Sequence, residues 1–344
     1  MTAVTEPGER VGGRPIPERR DVDRDLFERE ILTAGRPVVM RGLVADWPVV
    51  KAGRSGDDLR RYLVERDTGA PVGALTAPAS AQGRFHYNAD LTGFNFRRVQ
   101  LRLADALTTI LQYGSEAQAP SLAVQSVSTR GQLSGFDREN PMPLLDPAIE
   151  PRIWVGTRGV VATHHDPSEN IACCVAGRRR FTLFPPDQAR NLYLGPFELT
   201  PAGAQISLAD LTDPDLDRFP RLAEALDAAW TTELEPGDAL YIPYLWWHHV
   251  EATEAVNMLV NYWWDAQPAE RGRPQDALTL AMLAIRDLPP THRAAWRAMF
   301  DHYVFDDAAV DAAHVPPHAQ GMLGPLDPRT ARQIRAALAR TLSR

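Results

Sequence analysis

Two short stretches carry residues that can act together on a metal ion: VATHHDPSENIACCVAGRRRFTLFPP, residues 161–186, and GDALYIPYLWWHHV, residues 237–250. In an extended strand residues i and i+2 share a face, so His164 and Asp166 present an imidazole and a carboxylate to one point while His165 turns away. A single His-x-Asp triplet arises by chance on solvated surfaces. Its weight comes from the second stretch, where His248 and His249 follow Trp246 and Trp247. Two histidines and one carboxylate with open coordination positions suit non-haem Fe(II) and oxygen chemistry. The same set holds Zn²⁺ for hydrolysis. Neighbouring strand residues face opposite ways, so only one of His248 and His249 reaches the site; spacing leaves that choice open, and His164, Asp166 and His248 form the candidate set.

What separates oxygen chemistry from hydrolysis is a place for a second acid. An oxygenase that uses 2-oxoglutarate needs a fixed cation for the carboxylate far from the metal, and a planar guanidinium makes two parallel charge-assisted bonds to it. Arg178, Arg179 and Arg180 follow the Gly177 turn. Alternation sends Arg179 to the face opposite Arg178 and Arg180. A solvated rim is the ordinary reading of such a run. Asn170 and Asn261 are polar positions within otherwise apolar strands, and buried amides need partners.

The elements that must position these groups are mostly strands. Apolar runs at 122–127, 153–163, 171–175, 181–184, 239–242, 248–252 and 256–264 predict a β-rich middle, with Pro185-Pro186 stopping one strand and Glu235-Pro236-Gly237-Asp238 launching another from a type II turn. Ahead of it, helical spacing occurs at Leu26, Phe27, Ile31 and Leu32, at Leu59, Tyr62 and Leu63, and at Leu103, Leu107, Ile110 and Leu111, the last closed by Gly114. A loop is expected around Trp47-Pro48. After about residue 268 alanine-rich helices carry three apolar stripes, through Leu278, through Trp296 and through Leu338. The expected organisation is a flexible leader over 1–20, a catalytic domain over 21–267 and a helical region over 268–344. Many strands followed by helices predict a mainly β fold, a barrel or sandwich with appended helices.

The chain of 344 residues is long enough for a large core. A net charge of −7 argues against a surface that grips nucleic-acid phosphates throughout. Cys173 and Cys174 are adjacent and offer neither a disulfide framework nor a zinc cage, which fits buried thiols in a reducing compartment. No run has the length of a membrane span or signal peptide. A soluble, cytoplasmic protein is expected, without membrane or nucleic-acid partners.

The stretch HHDPSENIACCVAGRRRFTLFPPDQ, the connection ending DPDLDRFP, and GDALYIPYLWWHHVEA followed by VNYWW resemble the cupin-like JmjC oxygenases. Within that group they are most similar to the asparaginyl hydroxylase that inhibits hypoxia-inducible factor. The resemblance runs from about residue 25 to 265. It implies a double-stranded β-helix core with a C-terminal helical bundle. It also implies an Fe(II)- and 2-oxoglutarate-dependent hydroxylase that consumes O₂ and acts on a protein or peptide side chain, a small molecule or amino acid being the alternative. Carried over by position, it assigns His164, Asp166 and His248 to the metal and Arg179 to the 2-oxoglutarate carboxylate. Asn170 and Asn261 become pocket groups, and Tyr87 an aromatic beside the substrate. Three departures stand out: a lysine of the hydroxylase is Arg179 here, a threonine is Val161, and a pocket tyrosine is Leu122. The resemblance further implies a homodimer formed by the C-terminal helices. A zinc-dependent hydrolase and a non-catalytic cupin-like binding protein are the rival expectations.

Overall fold

The computed structural model describes residues 12–116, 118–265, 271–306 and 312–343. They divide into two compact units, Met1–Trp264 and Asp265–Arg344. In chain order the strands of the first unit are β1 (Arg14–Pro15), β2 (Glu18–Arg19), β3 (Val38–Met40), β4 (Pro71–Ala77), β5 (Arg84–Phe85), β6 (Arg97–Arg102), β7 (Ser121–Ser128) and β8 (Pro151–Gly156). There follow β9 (Gly159–His164), β10 (Glu169–Ala176), β11 (Arg179–Phe184), β12 (Trp230–Leu234), β13 (Ala239–Ile242), β14 (Trp247–Ala252) and β15 (Asn257–Trp264). One sheet has the order β1-β12-β11-β14-β9-β5 and the other β2-β3-β13-β10-β15-β8-β7-β4-β6.

Alternation gives the larger sheet two differently packed faces. From β10, Ile171, Cys173 and Val175 enter a core with Phe27, Trp47, Leu59, Leu63, Leu107 and Ile110 of the N-terminal helical segments. Ala172 and Cys174 enter another with Phe181 and Leu183 of β11, Leu240 and Ile242 of β13 and Val250 of β14. The second core therefore joins the inner faces of the two sheets. This β-rich, two-sheet core with helices outside it is consistent with the double-stranded β-helix, or jelly-roll, core that the resemblance implies.

The helices follow local rules. Gly56–Val64 begins at Ser55, whose side chain accepts from the Asp58 N–H, and buries Leu59 and Leu63. Leu103–Gly114 buries Leu103, Ala106, Leu107 and Ile110. Gly114 does not cap it by left-handed backbone: Ser115 continues in the right-handed region. A Cβ on Gly114 would sit 3.0 Å from the Ala255 carbonyl oxygen, so close packing is what requires glycine there. Around Trp47-Pro48 the chain forms a helix, Pro48–Ala52, rather than a loop, with proline at the first turn where its missing N–H costs nothing.

Two further expectations are corrected, and two strands went unread. Within the supposed leader, Arg14 and Pro15 pair with β12, Glu18 and Arg19 pair with β3, and Ile16 is buried between the sheets; residues 1–11 lie outside the described residues. The single strand over 153–163 is two, β8 and β9, broken at Thr157-Arg158. Strands β4 and β6 carried too little apolar alternation to be read, yet they pair with each other at the sheet edge.

In the second unit the helices Pro274–Ile285, Pro290–Phe300 and Pro328–Leu342 form as expected. A bundle with its own core is not shown: among its described residues only Ala312 and Ala331 are buried, while Leu278, Leu283, Trp296, Met299, Tyr303, Leu338 and Leu342 are exposed. No helix among the described residues is long and apolar enough to cross a membrane.

Candidate metal centre

The cluster is built where β9 lies against β14. His248 stands opposite His164, and Val250 opposite Val161, so between these pairs one residue of β14, His249, faces two of β9, Ala162 and Thr163. This β-bulge puts His164 and Val161, three residues apart, on the face shared by His248 and Val250. Just beyond β9, Asp166 completes the group, and one ligand atom from each of His164, Asp166 and His248 lies within 4.8 Å of the others. His248 Nε2 is 3.5 Å from Asp166 Oδ2.

The backbone fixes the tautomers. His164 Nδ1 is 2.9 Å from the Ala162 carbonyl oxygen and His248 Nδ1 is 3.1 Å from that of Trp246. A carbonyl only accepts, so each Nδ1 carries the proton and each Nε2 keeps its lone pair for a cation. Burial, reinforced by His164, pushes His248 well below the ordinary imidazole range and keeps it neutral. Trp263 Nε1 donates to Asp166 Oδ2 at 3.2 Å and so orients the carboxylate. The donor set, two imidazole nitrogens and one carboxylate, fits a divalent metal with positions left for exchangeable ligands.

The neighbouring histidines are excluded by strand parity. His165 lies edge-on to Trp247, ring centroids 4.5 Å apart. His249 is buried on the other face of β14, opposite Thr182, and neither of its ring nitrogens has a hydrogen-bond partner. Burial drives it down to about 3.

Arg179 occupies the inward face. Gly177 makes the turn from β10 to β11 with φ +70, and a Cβ there would meet Asn257 Oδ1. Two residues on, Arg179 pairs with Leu234 and Ala252, on the same side of β11 as the buried Phe181 and Leu183. It is 7% exposed, its Nε has no hydrogen-bond partner, and it makes no ion pair with a carboxylate of the described residues. Arg178 instead reaches Glu254 at 2.9 Å on the exposed side. Burial pulls the Arg179 guanidinium below its usual range. A cation taken out of water with no protein anion is costly, and an acid bound beside it offsets that cost.

Asn170 and Asn261 are buried and joined, Asn261 Nδ2 donating to Asn170 Oδ1 at 3.4 Å. Trp154 Nε1 donates to Asn261 Oδ1 at 2.7 Å. Tyr87 is buried against Ala162 and Ile206, and its hydroxyl donates to the Leu199 carbonyl at 2.7 Å. It thus anchors the long connection between β11 and β12, whose other side chains cover the outer face of β11 and β14 around Phe184 and Trp247. Leu122 is not in the inner cavity: it packs on the helix side of the larger sheet with Val124. Trp154 carries no signal in the sequence, whereas Trp263, one of four tryptophans whose ordinary reading is core, shares its strand face with Asn261 and is placed at the site by counting in twos.

The profile of a family described as "Cupin-like domain" matches residues 24–270. Mouse tRNA wybutosine-synthesizing protein 5 is 36% identical over 271 residues, covering 74% of this chain and 79% of that protein. Jumonji C domain-containing protein 5 of Drosophila melanogaster is 26% identical over 251 residues, 73% of this chain and 60% of the relative. Lysine-specific demethylase JMJ31 of Arabidopsis thaliana is 34% identical over 105 residues, 30% of this chain but only 19% of the relative. The chain thus spans less than two thirds of the length of those last two. These relatives bear the Jumonji C likeness but not the narrower one to the asparaginyl hydroxylase. With a profile match across most of the chain and a two-sheet core holding two histidines and an aspartate together, the chain belongs to the cupin-like domain family.

Proposed function

We propose that the protein is an Fe(II)- and 2-oxoglutarate-dependent oxygenase that hydroxylates a C–H bond on a protein or peptide side chain. The observation that carries this is Arg179: a buried guanidinium without a protein anion, inside the same pair of sheets that presents the His164, Asp166 and His248 ligand atoms. A zinc hydrolase or a silent binding protein has no need of it.

In this reading His164, Asp166 and His248 hold the metal, and Arg179 binds the distal carboxylate of 2-oxoglutarate. Asn170 and Asn261 supply polar contacts beside the acid. With iron and the acid bound, the site supplies O₂-driven C–H oxidation, in which 2-oxoglutarate and O₂ give succinate, CO₂ and one hydroxyl on the substrate. The chain places the acid, turns the Nε2 atoms of both imidazoles towards the metal and excludes water from the inner core. Tyr87 acts on the substrate side through the connection it anchors at Leu199.

The test is anaerobic reconstitution with Fe(II) and 2-oxoglutarate, then air and measurement of succinate. Formation of succinate that depends on His164 and Arg179 is expected. Absence of succinate together with Zn²⁺-dependent hydrolysis would replace this reading with the hydrolase.

A second substrate reading has its own support. The relative covered over 79% of its length is named for wybutosine synthesis in tRNA, which makes a modified tRNA nucleoside the competing substrate. Gain of one oxygen on proteins captured by a metal-substituted protein supports the first reading, and the same gain on a tRNA nucleoside supports the second. We further propose that the region 268–344 forms a homodimer through its exposed apolar stripes.

A further inference from the structure

Trp154 lies on β8, and its indole nitrogen is the first donor in a chain that ends inside the protein. Trp154 Nε1 donates to Asn261 Oδ1 at 2.7 Å, and Asn261 Nδ2 donates to Asn170 Oδ1 at 3.4 Å. Asn170 and Asn261 are 5% and 2% exposed. The direction of this chain is forced by chemistry, since an indole N–H can only donate. Asn261 must turn its oxygen to Trp154 and therefore its NH₂ to Asn170. Asn170 must then turn its oxygen to Asn261, which leaves Asn170 Nδ2 as the group able to donate to a further acceptor.

That last donor is on the inward face. Asn170 shares its side of β10 with Ala172 and Cys174, which pack in the inner core with Phe181 and Leu183, the strand-face neighbours of Arg179. The inner face thus offers a neutral N–H donor from β10 and a guanidinium from β11, both suited to oxygen acceptors. Trp154 differs in this from Trp263, whose N–H goes to the ligand Asp166 and whose ring lies edge-on to Trp154 at 5.8 Å.

We propose that Trp154 is a positioning residue: its N–H sets the direction of the Asn261–Asn170 amide pair so that Asn170 Nδ2 donates to an oxygen of the bound keto acid. Without that N–H both amides are free to rotate by half a turn, and Asn170 then presents its carbonyl oxygen to a carboxylate it would repel. This rests on the 2-oxoglutarate reading above. It adds that an acid, not an amide or amine of the same shape, is selected by a residue that never touches it.

The test uses the full chain loaded with Mn²⁺ or Zn²⁺ in place of iron, with 2-oxoglutarate binding measured by titration calorimetry and metal binding measured separately. Trp154→Phe keeps the ring contact with Trp263 and removes only the donor. It should weaken 2-oxoglutarate by about three- to tenfold, a fraction of one hydrogen bond to a charged oxygen, with metal affinity unchanged. Asn170→Ala should show a comparable loss, and Trp154→Phe added to Asn170→Ala should lose nothing more, because the relay then has no end. Asn261→Ala interrupts the same relay and serves if the tryptophan variant does not fold. In the metal-free protein the Trp154 indole ¹⁵N–¹H resonance should move in Asn261→Ala. Full binding in Trp154→Phe, or losses that simply add, overturns the positioning role and leaves the oxygenase reading standing. A wild-type protein that binds metal but no 2-oxoglutarate overturns both.

Discussion

Replacing Arg179 with methionine should move stability and binding in opposite directions. Methionine fills much of the same inward space beside Phe181 and Leu183 but carries no charge. The wild-type guanidinium is buried, its Nε is unpartnered, and burial already pulls its pKa down. In the ligand-free protein the substitution removes a buried charge without breaking an ion pair. Exchange of buried ionic groups for apolar ones of similar volume is neutral or stabilising by about 1–4 kcal/mol, so the unfolding midpoint of ligand-free Arg179→Met should equal or exceed that of wild type. With 2-oxoglutarate present the sign reverses. Truncating one partner of a desolvated charge pair costs about 2–5 kcal/mol, which at about 1.4 kcal/mol per tenfold is a loss of roughly thirty- to several-thousandfold in affinity. Scanning calorimetry with and without the acid reads both effects on one sample, because ligand binding to the folded state alone raises its stability by mass action. Arg179→Lys should fall between, keeping the charge but losing the two-pronged geometry. An Arg179→Met protein that is markedly less stable without ligand, or that binds the acid like wild type, would refute the assignment and make Arg179 a structural anchor.

His164→Ala and His248→Ala should abolish tight metal binding in equilibrium dialysis, while His165→Ala and His249→Ala retain it; metal loss in His249→Ala alone would reverse the ligand choice. Trp263→Phe removes the hydrogen bond to Asp166 and should weaken metal binding by about ten- to a hundredfold, the usual range for partners of a ligand; unchanged affinity would show that Asp166 is oriented without it. His249 is neutral in the fold, held down to about 3 by burial against 6.5 for an ordinary histidine. The unfolded chain binds the extra proton first, so stability should fall as pH drops from 6.5 towards 3 by up to about 1.4 kcal/mol per pH unit. His249→Phe should flatten that slope in denaturant titrations, and an unaltered slope would assign it to other groups. Leu338→Glu, on an exposed apolar stripe, should give monomers or aggregates by light scattering, whereas a wild type that sediments as a monomer at micromolar concentration would end the dimer proposal.

The chemistry was legible where strand parity could be counted from a fixed point. His164 and Asp166 share a face by spacing two, and Arg179 faces away from Arg178 for the same reason; the structure buries the first arginine and exposes the second. The choice of His248 over His249 was not legible, because parity on β14 is set by its register with β9 and that register is fixed in three dimensions. The bulge at Ala162 and Thr163 has no glycine or proline to announce it. Likewise the expected pocket position of Leu122 failed on parity, since β7 turns that side chain to the helices. The short pairings of Arg14–Pro15 and Glu18–Arg19 were hidden because two-residue strands lack any periodicity to read.

The pairing of β9 with β14 also has a kinetic side. His164 and Asp166 are laid down early, but His248 arrives only after β10, β11, β12, β13 and the long connection have been made. In an unfolded chain the triplet at 164–166 offers a cation two weak ligands, and the third comes only when the ends of that excursion close on each other. Such non-local closure is slow and entropically costly. A bound metal should therefore leave the refolding rate nearly unchanged and instead slow unfolding, as expected for contacts absent from the folding transition state. Metal loading would act as a latch on the finished sheet rather than as a nucleus for it, so chelation shortens the lifetime of the folded protein without slowing its assembly.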